Sequence, residues 1–598
     1  MGLIARGLFH ATRCHVPTAR RVTAAFCRYH HTLKSKDSDV QVDQQFFQDT
    51  SGTWLFNAAE QQRQRYLKFN VDALVAEAIK CTEASSCIGF QKLPYEGSRY
   101  RSFEIEVDTG IKVIAKLPLK LGVPAHLTTA SEVATMHFAR NFLRMPVPKV
   151  LSYCSRAETT EVGAEYIITE KPEGTPLAGR WHTAPEKSTL NFLEDLVGYE
   201  KVMAETKFPA MGSLYFERDL FDGTPFVPFR AEYDSGAVEE YAIGPTVDIR
   251  FWRNGRSSLN INRGPWENLA LYTWDIIDCE IAWLSRYAKP YPPESPLYIS
   301  EKDNSPATHI SVLEKFREVS NYVGPLAGSP SFNLTYPCYP TDGFIEDPHS
   351  ILVSEDDDMK ITAFFDWQSA QIHPLFQNNI LGLLDCSENK YVTVPDDNDG
   401  ETPADPPSLP VDFESLGAAE QEQSKQELRK MKQQEAYTSL TEKENPVMHE
   451  CREDPSHVLL NGPLQTLSLS WELGTAPLSE CLLRIHDLWP KIATALGTDD
   501  PCPVTFTEPE QEAHEKAFKQ AKQDMEPYLY LSRKIGLAMD GVVPFHQLEH
   551  ARARNAEELE KYVQTFPPEE QARARRRWPF QEGGLAFALT VDSHSETE

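Results

Sequence analysis

Apolar and polar positions first fall into register at residues 70–79. Val71, Leu74, Val75, Ala78 and Ile79 recur there at helical spacing behind Asn70, which predicts an amphipathic helix capped by that asparagine. From residue 103 the period shortens to two. Phe103, Ile105 and Val107 alternate with Glu104 and Glu106, the turn Asp108-Thr109-Gly110 follows, and residues 111–117 give a second alternating run, so a β-hairpin is expected. Its second strand places Ile114 and Lys116 on one face and Val113 and Ala115 on the other. A helix is predicted over residues 129–142, stopped by Pro146 and Pro148, and two more strands over 149–153 and 164–169. Residues 181–376 read as mostly helical, with Pro- and Gly-rich joints. A second hairpin, 350–354 and 361–365, closes on Asp366-Trp367. A sheet that gives way to helices in this manner is an α+β, two-lobed arrangement with a cleft at the hinge.

Three charged residues stand out within this pattern. Lys116 lies in an apolar strand, where it needs a carboxylate partner or a pocket anion, unless it snorkels to water from an edge. Glu132, in the first turn of the 129–142 helix, could face it across a cleft; the same residue also completes a capping box with Thr129. Asp366 ends a strand, where a carboxylate reaches a cleft or merely caps a turn.

Composition narrows the classes. With 41% hydrophobic and 10% aromatic residues, 598 residues are enough for several cores. A net charge of −29 argues against general nucleic-acid binding, which needs clustered Lys and Arg; the run Arg573 to Arg577 reads as a solvated helix face. The first 36 residues hold five Arg, two Lys and no acidic residue, the composition of a mitochondrial presequence or else of a flexible basic terminus. The eleven Cys show no paired zinc spacing, which suits reduced thiols in a matrix-like compartment. No apolar run approaches the roughly 20 residues that cross a bilayer.

The residues also carry a resemblance. The segments EGSRYRSFEIEVDTGIKVIAKLPL (96–119), HLTTASEVATMHFARNFLRMPVPKVLSY (126–153), VGAEYIITEKPEGTPL (162–177), NRGPW (262–266) and ITAFFDWQSA (361–370) are similar to the aminoglycoside phosphotransferase and choline kinase group of kinase-like folds. More closely, they resemble its fungal mitochondrial branch, altered inheritance of mitochondria protein nine. The resemblance implies a protein-kinase-like fold with a small sheet lobe and a large helical lobe carrying a helical C-terminal extension. The expected divisions are a presequence 1–36, a helical segment 37–85, an N-lobe 86–170, a C-lobe 171–393, an acidic Pro-rich linker 394–412 and the extension 413–598.

Carried over by position, the resemblance implies ATP and Mg²⁺ as cofactors. Lys116 would contact phosphates and Glu132 would pair with it. Gly97 and Ser98 would lie in the nucleotide-covering loop, Ile114 beside the base, Glu170 in the hinge, and Asp366 on Mg²⁺. The catalytic loop departs from the family pattern: Ile345 stands at the base, and Ser350 at the Asn that binds a second metal, where it is a poor oxygen ligand. Arg99-Tyr100 also replaces smaller or amide residues. Two readings follow, a pseudokinase with weak or absent transfer, and an active small-molecule kinase with Asp347 or Asp342 as base. The partners implied are a nucleotide and a small molecule or protein. A third class rests on His546-Gln-Leu-Glu-His550, which fits a short zinc motif or an ordinary surface helix.

Overall fold

A computed structural model describes residues 44–50, 52–93, 99–121, 123–324, 332–336, 350–356, 358–378, 384, 407–535 and 541–590. Asn70 caps α1 (Val71–Cys81), its side chain accepting from the Ala73 N–H at 3.2 Å. The first lobe continues with β1 (Cys87–Lys92), β2 (Tyr100–Val107), β3 (Lys112–Pro118), α2 (Leu127–Asn141), β4 (Val150–Cys154) and β5 (Tyr166–Glu170). The five strands form one antiparallel sheet in the order β1-β2-β3-β5-β4.

Strand alternation divides this sheet into two faces. Phe103, Ile105, Val113, Ala115 and Leu117 pack with Leu74, Val75 and Ala78 of α1. Ser102, Glu104, Ile114 and Lys116 take the opposite face, as the pairings Ser102↔Lys116 and Glu104↔Ile114 require. Helix α2 ties the two lobes together, because its Val133, Ala134, Met136 and Phe138 belong to the large core of the second lobe.

The second lobe holds α3 (Glu186–Glu205), β6 (Ser213–Phe216), β7 (Val227–Glu232), β8 (Val238–Gly244), α4 (Leu269–Arg286), α5 (Pro306–Val323), β9 (Phe332–Thr335), β10 (Ile351–Val353), β11 (Ile361–Phe364) and β12 (Gln371–Pro374). Its sheets correct the mostly helical expectation for residues 181–376. Strands β6-β8-β7 form a three-stranded sheet and β9 pairs with β12. Pro228 is tolerated in β7 because that strand is an edge.

Helices α6 (Ala418–Glu444), α7 (Ala476–Leu496), α8 (Glu508–Ile535) and α9 (Leu548–Gln564) follow. Tyr437, Leu464, Trp471, Leu482, Ile485 and Trp489 enter the same core as α3 and α4. Thr53–Trp54 even forms a two-residue ladder with Val542–Val543. The architecture is the expected α+β arrangement of a small sheet lobe and a larger, mostly helical lobe. Among the described residues, no helix is long and apolar enough to cross a membrane.

Candidate functional site

Two hairpins and one helix bring three charges to one point. Lys116 projects from the middle of β3, and its Nζ lies 2.6 Å from Glu132 Oε1 and 2.6 Å from Asp366 Oδ1. Helix α2 begins at Leu127, behind His126 with φ of 63°, so Thr129 lies inside the helix. The expected capping box therefore does not form. Thr129 Oγ1 donates instead to Glu165 Oε2 at 2.5 Å, and Glu132 is left to Lys116.

Asp366 follows β11, which pairs with β10 through Ile351↔Phe364 and Leu352↔Ala363. Fully buried Trp367 fixes the turn behind it, its Nε1–H donating to the Phe364 carbonyl at 3.0 Å. The Gln368 N–H donates to Asp366 Oδ1 at 3.3 Å.

Burial sets the electrostatics. The Lys116 and Glu132 side chains are 11% and 1% exposed. Burial alone would lower the lysine pKa, but the charges of Asp366 and Glu132 outweigh it and hold it above the ordinary value. Burial pushes the Glu132 carboxyl up, against the pull of Lys116. The Asp366 side chain keeps 21% exposure, so its carboxylate remains in contact with solvent.

The other residues singled out in the sequence fall in several places. Ile114 is half-buried on the Lys116 face, opposite Glu104 on β2 and Thr169 on β5. Glu170 turns to Arg140 Nη1 at 2.8 Å and the Lys149 N–H at 2.9 Å and takes no part in the Lys116 cluster. Ser350 is buried just before β10, its carbonyl accepting from Tyr336 Oη at 3.0 Å and the Phe365 N–H at 3.1 Å. Gly97, Ser98, Asp342, Ile345 and Asp347 lie outside the described residues. His546 and His550 are both exposed, and no cluster of three or more metal-ligating side chains occurs among the described residues.

The structure adds two features to the cleft. Lys116 Nζ sits 4.1 Å from the centroid of the Tyr100 ring. Glu104, almost fully buried, accepts from Lys171 Nζ at 2.5 Å, Gln91 Nε2 at 3.1 Å and Lys112 Nζ at 3.3 Å. The alternation already sets Glu104 opposite Phe103, and extending it back from Phe103 would have placed Tyr100 on the same face as Lys116.

No family model matches the chain. Over 524 residues it is 28% identical to a subtelomeric hrmA-associated cluster protein of Aspergillus fumigatus, covering 81% of this chain and 96% of that one. Over 290 residues it is 26% identical to altered inheritance of mitochondria protein 9, mitochondrial, of Komagataella phaffii. The chain is thus similar to proteins named altered inheritance of mitochondria protein 9. The match to the Komagataella member covers 40% of this chain and 47% of that protein, and it shares its name with matched proteins of Candida and Yarrowia species. Among solved structures the chain is similar to the GDP complex of aminoglycoside 2'-phosphotransferase-IIIa, with 12% identity, 71% of this chain and 97% of that chain covered, and a TM-score of 0.31.

Proposed function

We propose that this protein is a mitochondrial, aminoglycoside-phosphotransferase-like kinase that binds ATP and Mg²⁺ between its lobes, transfers phosphate weakly or not at all, and acts in mitochondrial maintenance. The observation that carries the reading is the meeting of Lys116 with Glu132 and Asp366, each at 2.6 Å, from elements up to 250 residues apart. Such a buried charge cluster is costly to build unless the groups are paired, and it lies where the two lobes meet. The mitochondrial part rests on the acid-poor first 36 residues and on the names of the homologues.

The residues fit the implied groups as follows. Lys116 would hold nucleotide phosphates, Glu132 would orient the lysine, and Ile114 would offer an apolar surface to the base. Asp366, with a partly exposed carboxylate, fits a Mg²⁺ site, since that ion is usually held by one or two carboxylates plus substrate phosphates. Bound Mg²⁺ would neutralise phosphate charge. Ser350 offers only a hydroxyl in a buried position to a second metal. With Ile345 in place of the base, about 10² to 10⁴ in rate is expected to be lost from that role.

The same intact cluster favours a second reading, an active small-molecule kinase with Asp347 or Asp342 as base. Incubation of the purified protein with γ-labelled ATP, Mg²⁺ and a metabolite extract separates the two. Transfer of label to a small molecule, abolished by Lys116→Ala, establishes the active kinase; nucleotide binding without transfer supports the degenerate one.

A further inference from the structure

A lysine ammonium has three N–H donors, and Lys116 Nζ has three close neighbours. Two are carboxylates at 2.6 Å, Glu132 on the helix side and Asp366 on the second-lobe side. The third neighbour is the Tyr100 ring, over which Nζ sits 4.1 Å from the centroid. The sheet register explains this placement. Tyr100 pairs with Pro118 and Ser102 pairs with Lys116, so Tyr100 is the diagonal neighbour of the lysine on the same face, within reach of an aromatic side chain.

We propose that Tyr100 is a gate on Lys116: its ring occupies the approach by which a phosphate chain would reach the ammonium, and it must swing away before nucleotide can bind. This rests on the reading of the cleft as a nucleotide site. The backbone beneath the ring is pinned, because the Leu119 N–H donates to the Arg99 carbonyl at 2.8 Å and the β2–β3 ladder begins at Tyr100 itself. Opening is therefore a side-chain rotation and not a movement of the strand. The ring is 7% exposed and covers a desolvated cation, so it competes directly with an incoming anion for the same charge. Asp366 is a separate competitor, which Mg²⁺ would draw away from the lysine.

The test measures binding of Mg²⁺–ATP and of sodium tripolyphosphate, which has no base, to the full chain carrying Tyr100→Phe, Tyr100→Ala or Tyr100→Asn. Melting temperatures establish that each variant is folded, and the Asn variant supplies the measurement if the Ala variant does not fold. Losing a desolvated cation–π contact should tighten binding of tripolyphosphate about ten- to thirtyfold in the Ala and Asn variants. Tyr100→Phe, which keeps the ring, should gain far less than the Ala and Asn variants, and Tyr100→Ala with Lys116→Ala should show no gain over Lys116→Ala alone. Tighter tripolyphosphate binding without ATP binding in any variant would leave the gate standing and remove the nucleotide reading. Equal affinities across folded variants, an equal gain in Tyr100→Phe, or no binding of either probe by any variant would overturn the gate.

Discussion

Lys116 Nζ and Glu132 Oε1 lie 2.6 Å apart, with side chains 11% and 1% exposed. A buried pair of this kind contributes little when compared with an apolar pair, but removing one partner strands the other charge. Lys116→Met should therefore destabilise the protein by about 3 kcal/mol or more. Lys116→Met with Glu132→Gln should recover most of that loss. Urea unfolding of the single and double variants checks both, and a double variant no more stable than the single would refute the pairing.

Gly174 makes the crossing between the lobes possible. Its φ is +107°, and a Cβ there would lie 2.4 Å from Thr362 Oγ1 and 2.6 Å from the Val353 carbonyl oxygen. Thr362 and Val353 belong to the hairpin that carries Asp366. Gly174→Ala should cost about 2 kcal/mol or more through backbone strain and the forced separation of these strands. A melting temperature unchanged within a degree would contradict this.

His373 gives the fold an acid sensitivity. It is fully buried in β12, and burial pushes its pKa down from 6.5 to about 4. The folded state thus binds fewer protons than the unfolded state between those values. The stabilisation is complete above about pH 6.5 and is lost as the pH falls toward about 4, for a total of about 3 kcal/mol. In His373→Gln the loss of stability between pH 7 and 4 should be smaller by that amount, as read from urea unfolding at each pH.

The C-terminal helices should not be separable from the second lobe. Tyr437 Oη, buried where α6 packs on α3, donates to Glu200 at 2.8 Å and accepts from the half-buried Arg452 at 2.7 Å. Tyr437→Phe leaves the buried Glu200 carboxylate without that donor and should cost about 1–3 kcal/mol. A chain ended at residue 412 should fail to fold, which its circular dichroism would report.

The alternation of residues 103–117 was enough to place Lys116 on the face of Ile114, with Glu132 as a partner within reach, whereas Asp366 stood out only as a carboxylate at a strand end. Their convergence was not legible, because it depends on how two lobes close over 250 intervening residues. Strands β7 and β8 escaped the sequence reading because Pro228, Arg230, Glu232, Glu239 and Glu240 give them the polarity of a loop, while the buried Tyr241 and Ile243 that anchor β8 are few. The early start of α2 was hidden in the left-handed backbone at His126, which no side-chain pattern announces. Tyr100 was noted only as a departure from family habit. Its contact with Lys116 follows from three further residues of β2 pairing, Tyr100 to Ser102, which the apolar pattern, beginning at Phe103, did not reveal.

The most direct test of the central claim is the melting temperature of the natural protein, Lys116→Ala and Asp366→Ala, each with and without millimolar Mg²⁺ and ATP. Binding to the folded state alone adds about 2.7 kcal/mol at a hundred times the dissociation constant. A rise in the natural protein that is lost in both variants is the predicted result. No rise in the natural protein, or a rise that persists when Lys116 and Asp366 are removed, would contradict a nucleotide cleft built on Lys116, Glu132 and Asp366.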